Sequence, residues 1–184
     1  MITLAYLDTS AFLKLFLDEG NSAQVAAAAQ KPEELWALRL VLTEARITLE
    51  RARRDGRLTP AEFTAISESV NDFWDTEIQV LELNEAIYLA AERMAARQPG
   101  LRSLDALHVG AARLLQKDLP QVRVELLACD ERLLLAATAA GLATPIPPRT
   151  GPAPVPPRGS GDAGNPDFFP PTCCPGRWAG CAAG

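Results

Sequence analysis

AYLDTSAFLKLFLDE, residues 5–19, places an acid, Asp8, between an apolar run and a pair of hydroxyl residues, Thr9 and Ser10. The apolar residues before it, Thr3 to Leu7, read as a short buried strand, and the spacing after it predicts a helix through about Leu17. Asp8 therefore stands at the C-terminal end of a strand and at the start of a helix. In open α/β sheets that edge is where ligands bind, and a helix start favours anionic groups.

Three more acids sit in comparably apolar surroundings: Glu44 in LVLTEARITLE, Asp105 in LRSLDALHVGAARLL and Asp130 in ELLACDERLLLAA. Asp130, like Asp8, follows an expected strand and precedes an expected helix. Glu44 falls inside a helix at the margin of the stripe formed by Leu42, Ala45 and Leu49. Asp105 flanks the face of Leu104, Leu107, Ala111 and Leu115. A marginal position lets a side chain reach a cleft while its helix stays packed. An isolated carboxylate is costly in apolar surroundings, and four that converge repel one another unless a cation lies between them. A hard divalent ion with oxygen ligands relieves that repulsion, which points to metal-assisted phosphodiester chemistry. Each acid also has an ordinary role: Asp8 and Asp130 as helix caps, Asp105 as a dipole partner, Glu44 as a partner for an arginine.

Working outward, the pattern alternates between strands and helices. A helix is expected over about Ser22–Gln30, a strand over Leu35–Leu38, and a helix over about Leu40–Asp55 closed by Gly56. Thr59-Pro60-Ala61-Glu62 is a capping box with proline at the first helical position, and its helix runs to about Trp74. Ile78–Leu83 is a strand and Glu85–Ala96 a helix. Ser103 is expected to cap a helix to about Lys117. Val122–Ala128 is a strand that includes no charge but Arg123 and Glu125, with Cys129 as a small hydrophobe at its buried end. A helix over Glu131–Ala140 closed by Gly141 and a last strand at Ala143–Ile146 complete the pattern. Such alternation implies a mainly parallel central sheet covered by helices on both faces.

Composition bounds the function. The 184 residues are 48% hydrophobic and 22% charged, a globular composition. No apolar run is long enough to span a membrane. The start, MITLAYLDTSAF, lacks a signal peptide's basic region, so a cytoplasmic location is expected. The net charge of −5 argues mildly against nucleic acid. It is countered by Arg46, Arg51, Arg53, Arg54 and Arg57, assigned to one helix, although a solvated face is the ordinary reading of such a run. His108 is the sole histidine, which excludes a multi-histidine zinc site and disfavours a Ser-His-Asp triad. It reads as a helix residue packed beside Asp105. Ten of the 15 prolines and three of the four cysteines fall in 147–184, so this stretch is expected to be a disordered tail behind a domain of residues 1–146. The spacing of Cys173, Cys174 and Cys181 does not suit a zinc knuckle.

Taken together, YLDTSAFLKLFLDE at 6–19, LTEARITL at 42–49, LRSLDALHVGAA at 101–112 and ACDERLLLAATAAGL at 128–142 resemble the PIN-domain family, and within it the VapC-type toxins of bacterial toxin–antitoxin pairs. The resemblance covers 1–146 and none of the tail. It implies a PIN-like three-layer α/β/α sandwich and a Mg²⁺- or Mn²⁺-dependent endoribonuclease. It further implies a cognate antitoxin protein as partner, and commonly a homodimer. By the same resemblance Asp8, Glu44, Asp105 and Asp130 correspond to the family's acidic quartet, and Ser10 to the hydroxyl residue beside its first aspartate.

On that reading Asp8, Asp105 and Asp130 hold the cation, Glu44 completes the set or orients the attacking water, and Ser10 donates to a carboxylate or to a water of that shell. Thr48 and Arg51 follow Glu44 on roughly the same helix face, which makes Arg51 the expected phosphate contact. A dehalogenase-like phosphotransferase needs a second aspartate where this chain has Ser10, and a receiver domain needs an acidic pair and a lysine that are not found. A metal-free interaction module and a housekeeping RNA-processing nuclease are the remaining alternatives. The face of Phe12, Leu13 and Phe16 is expected to serve core packing, with partner contact as the alternative.

Overall fold

The computed structural model describes residues 2–146; the expected tail at 147–184, with its three cysteines, lies outside the described residues. Four short strands, β1 (Thr3–Leu7), β2 (Glu34–Leu38), β3 (Ile78–Leu81) and β4 (Arg123–Leu127), pair entirely in parallel in the order β3-β2-β1-β4. Parallel neighbours need crossovers, and helices supply them. α1 (Thr9–Leu13) and α2 (Ser22–Ala29) join β1 to β2; α3 (Arg39–Arg54) and α4 (Pro60–Glu77) join β2 to β3. α5 (Glu85–Arg97) and α6 (Ser103–Asp118) join β3 to β4, and α7 (Glu131–Ala139) follows. No described helix is long and apolar enough to cross a membrane.

The side-chain alternation of a strand divides the core in two. Ala5 and Leu7 of β1 face a cluster built with Phe12, Val25, Val41, Leu49, Ile66 and Trp74, which belong to α1–α4. Leu4 and Tyr6 face the opposite cluster, with Ile87, Val109, Leu115 and Leu133 from α5–α7. The expected three-layer α/β/α sandwich is therefore the observed one. Phe12 and Phe16, with centroids 5.3 Å apart, pack against Phe73 and Trp74 at 5.5 to 6.3 Å, so the Phe12 face is core.

Local chemistry sets most boundaries. The Thr59–Glu62 capping box forms as expected, with Pro60 opening α4. Gly56 takes φ +71°, which ends α3 at a conformation other residues avoid. At Gly110 of α6 a β-carbon would stand 2.8 Å from the Ala91 backbone nitrogen, so glycine is what lets α6 lie close on α5.

Six expectations are corrected. α1 stops at Leu13 rather than Leu17, because the following amides bond three residues back, Lys14 to Ala11 and Leu15 to Phe12, and tighten the last turn. Ser103 is the first helical residue; extended Arg102 is the cap, without a side-chain bond. β3 ends at Leu81, short of Leu83. The strand at Ala143–Ile146 reduces to one parallel bridge, Ala143 to Glu125, next to Pro145, which has no N–H for a ladder. Arg57 lies beyond α3, and Cys129 is a half-buried residue beyond β4.

Since β2 and β3 lie on one side of β1 and β4 on the other, the strand order reverses between β1 and β4. The crevice at the carboxyl ends of those two strands is the place where such sheets bind ligands. Leu7 and Leu127 are register partners there; Asp8 follows Leu7 directly, and Asp130 comes three residues after Leu127 in the other loop.

Candidate active site

Asp8 caps α1. Its Oδ1 accepts the Ala11 N–H at 2.9 Å and the Ser10 hydroxyl at 2.8 Å, and its Oδ2 lies 2.9 Å from the same hydroxyl. The Asp8 N–H reaches the Leu127 carbonyl at 3.1 Å, and Ser10 Oγ accepts the Cys129 N–H at 2.8 Å. Ser10 thus pins the loop after β4 to the carboxylate at the end of β1. Asp8 is only 6% exposed. Burial pushes its carboxyl above the usual range, against the lowering effects of the His108 ring, the Ala11 N–H and Ser10.

Glu44 lies in α3 at the edge of its buried stripe, as expected, and its side chain is 23% exposed. The Thr9 hydroxyl donates to Glu44 Oε2, and His108 Nε2 stands 3.6 Å from that oxygen. Burial raises the Glu44 carboxyl, but the His108 ring and Thr9 outweigh it and leave the net shift downward. Asp105 occupies the first turn of α6, one turn before His108 on the same helix face. Its Oδ2 is buried with no hydrogen-bond partner among the described residues. Asp130 caps α7: Oδ1 accepts the N–H groups of Arg132 at 2.9 Å and Leu133 at 3.4 Å, and Oδ2 lies 3.6 Å from the Arg132 guanidinium. Its side chain is 41% exposed.

Asp8, Ser10 and Glu44 therefore meet through Thr9 and His108, while Asp130 is engaged by its own helix. Among the described residues no three Asp, Glu, His or Cys side chains close into a ready-made metal cage. The donors nevertheless fit a hard cation. They are carboxylate oxygens, and a buried oxygen without a partner, such as Asp105 Oδ2, is the kind of group an ion or water satisfies.

Arg51 is exposed on the flank of α3 that carries Glu44 and has no ion-pair partner among the described residues. The other arginines are occupied or turned away: Arg53 pairs with Glu50 and lies over the Phe63 ring, Arg46 bonds Asn71, and Arg57 pairs with Asp55. A cleft of about 700 Å³ between α3 and α4, lined by Arg46, Ile47, Arg54 and Phe63, opens on the other flank, away from the acids.

Residues 5–139 match the PIN domain. The chain belongs to the PIN-domain family. Over 109 residues it is 32% identical to Ribonuclease VapC45 of Mycobacterium tuberculosis (strain CDC 1551 / Oshkosh), a stretch that is 59% of this chain and 74% of the relative. The same figures hold for Ribonuclease VapC49 of the same species (strain ATCC 25618 / H37Rv). Among solved structures, FitAcB from Neisseria gonorrhoeae superposes with a TM-score of 0.54 at 12% identity, over 76% of this chain and 95% of that one. FitAB bound to an IR36 DNA fragment gives 0.56 at 13%, over 76% and 92%. At such identity these two structures establish the fold alone.

In this PIN domain the acids stand on a hydrogen-bonded floor that the sequence reading did not include. Tyr6, fully buried in β1, places its hydroxyl 2.9 Å from His108 Nδ1, and the two rings meet edge to face with centroids 5.9 Å apart. His108, read as a bystander, touches both Tyr6 and Glu44. Two signals pointed to the pair. His108 follows Asp105 by three residues, hence shares its face, and Tyr6 precedes Asp8 by two, hence shares its side of the strand. Thr9 gave no signal beyond adjacency to Asp8.

Proposed function

We propose that this PIN domain is a divalent-cation-dependent endoribonuclease that hydrolyses RNA phosphodiester bonds, as the toxin of a type II toxin–antitoxin pair. The observation that carries the reading is the buried Asp8 carboxylate at the crossover point of the sheet; a second acid of the expected set, Asp105, has a buried oxygen without a partner among the described residues. Family membership and the two ribonuclease relatives support it.

Asp8 and Asp105, with Asp130 and Glu44 at the margin, are the residues that would hold Mg²⁺ or Mn²⁺. When bound there, the ion acidifies water near neutral pH and neutralises charge on the phosphate. The protein's own work is positional. Ser10 orients Asp8 and fastens the two strand-end loops together. Glu44 keeps one carboxylate oxygen, Oε1, without a hydrogen-bond partner among the described residues, and that oxygen can orient the attacking water. Arg51 holds the substrate backbone by charge. A cognate antitoxin protein, a homodimer and a cytoplasmic location complete the proposal.

The test is incubation of the purified protein with total RNA and Mg²⁺ or Mn²⁺, against a chelator control, followed by mapping of the cut ends. Discrete, chelator-sensitive cleavage is expected. RNA left intact under all cation conditions would sink the reading.

A further inference from the structure

We propose that Tyr6 and His108 form a positioning device for Glu44. Tyr6 holds the imidazole in the form protonated at Nε2, and that N–H, together with the Thr9 hydroxyl, fixes Glu44 Oε2 so that Oε1 is presented to the acid-lined crevice. The role assigned to Glu44 rests on the nuclease reading; the hydrogen-bond arrangement does not.

The argument starts from burial. The Tyr6 side chain is fully buried, with its hydroxyl 2.9 Å from the His108 ring. A buried O–H that donates to nothing is costly. A buried phenol is both donor and acceptor, and its proton needs an acceptor within reach. His108 Nδ1, at 2.9 Å, is the side-chain acceptor in reach. A neutral imidazole that accepts at Nδ1 carries its proton on Nε2. Nε2 faces Glu44 Oε2 at 3.6 Å, just outside hydrogen-bond range, so the ring acts on the carboxylate as an oriented N–H dipole.

Both donors converge on one oxygen of Glu44, since the Thr9 hydroxyl also reaches Oε2. The carboxylate therefore cannot rotate freely, and Oε1 is left without a hydrogen-bond partner among the described residues. An imidazole with Nε2–H directed at Glu44 is neither a general base nor a cation ligand through that nitrogen. His108 is thus a positioning residue, which explains why a single, almost wholly buried histidine lies beside the acids. If His108 were only a core filler, an apolar residue of similar size would serve as well.

The experiment has two arms. The first needs no RNA and no cation: long-range ¹H–¹⁵N NMR of the wild-type protein in chelator. It is expected to show the Nε2–H form of His108, a loss of that preference in Tyr6→Phe, and a moved Nε2 resonance in Glu44→Gln. A wild-type ring protonated at Nδ1 alone, or an Nε2 signal indifferent to Glu44→Gln, overturns the proposal. The second arm is RNA cleavage. Tyr6→Phe and His108→Leu are each expected to lower kcat by about ten- to a hundredfold with KM little changed, the scale of lost support behind a reactive group. The double variant should be no worse than the poorer single one. His108→Gln, whose amide can still donate, should recover part of the loss. Wild-type kcat in His108→Leu, or equal rates for the Leu and Gln variants at equal thermal stability, overturns the positioning role. Should wild-type protein leave RNA uncut while the NMR results hold, the nuclease reading fails and the Tyr6–His108–Glu44 arrangement stands.

Discussion

Asp8 and Asp130 are built by the same local rule and end up as different electrostatic objects. Each follows a parallel strand, each caps the next helix, and their strands are neighbours in register. Asp8 is buried under α1 beside the α3 and α6 residues Glu44 and His108, and its carboxyl is pushed up by desolvation. Asp130 stands half in water with an arginine of its own helix for company. The cap is a local property, but the cost of the charge comes from what the rest of the chain packs around it. A carboxylate that is expensive to ionise without a counter-charge is one that a cation stabilises strongly.

That contrast can be broken most directly at Asp8. Asp8→Asn keeps a good capping residue and removes the buried charge. It is expected to cut RNA cleavage by roughly two to three orders of magnitude, as removal of one charge-stabilising contact does. In chelator it should raise the melting temperature, by about 2–4 °C for each kcal/mol relieved. A variant that melts lower than wild type in chelator would break the argument from burial.

Asp130→Asn sharpens the comparison from the other side. Asparagine caps α7 as well as aspartate does, so thermal stability should be unchanged, and cleavage should fall only about tenfold, the scale of a supporting group. A loss as large as that of Asp8→Asn would place Asp130 on equal footing despite its exposure. Arg51→Ala is expected to raise KM a few-fold at constant kcat and to reduce the slope of log affinity against log salt by about 1. A changed kcat with an unchanged salt slope would remove Arg51 from the substrate path.

The smallest effect is a pH dependence. The Asp8 carboxyl sits above 3.8 in the folded protein, so the folded state binds its proton more tightly than the unfolded state does. From Asp8 alone, cation-free stability falls as pH rises from 3.8 through the raised folded value. Glu44 works in the opposite sense: its carboxyl lies below 4.5, and its contribution, present above that value, is lost as pH falls through the lowered one. A cation that needs ionised Asp8 should therefore lift the melting temperature more at about pH 7 than at about pH 5. Differential scanning fluorimetry with Mn²⁺ at both values checks this, and an equal lift at both would mean that Asp8 is not where the ion acts.

Much of this architecture is legible from the chain. Thr59 and Glu62 cap α4 wherever that segment goes, and Gly56 closes α3, because caps and turns are settled within a few residues. The strand ends at Asp8 and Asp130 are equally local, and so are the marginal positions of Glu44 and Asp105 on their helices. Less legible is any property that depends on a distant partner. The overlong α1 and the expected final strand failed where hydrogen bonds changed pattern or had no partner, at Lys14 and around Pro145. His108 was set aside because its partners, Tyr6 and Glu44, lie 102 and 64 positions away.

The order of residues thus decided which acids exist, which of them begin helices, and on which helix edge each one rides, since all of that follows from short-range periodicity and backbone bonding. It did not decide which acid would be dry. That came from the reversal of strand order between β1 and β4, which sets two strand ends side by side, and from the packing of α3 and α6 over only one of them. Desolvation depends on everything within several ångströms of a charge, and those neighbours are assembled only when the whole sheet closes.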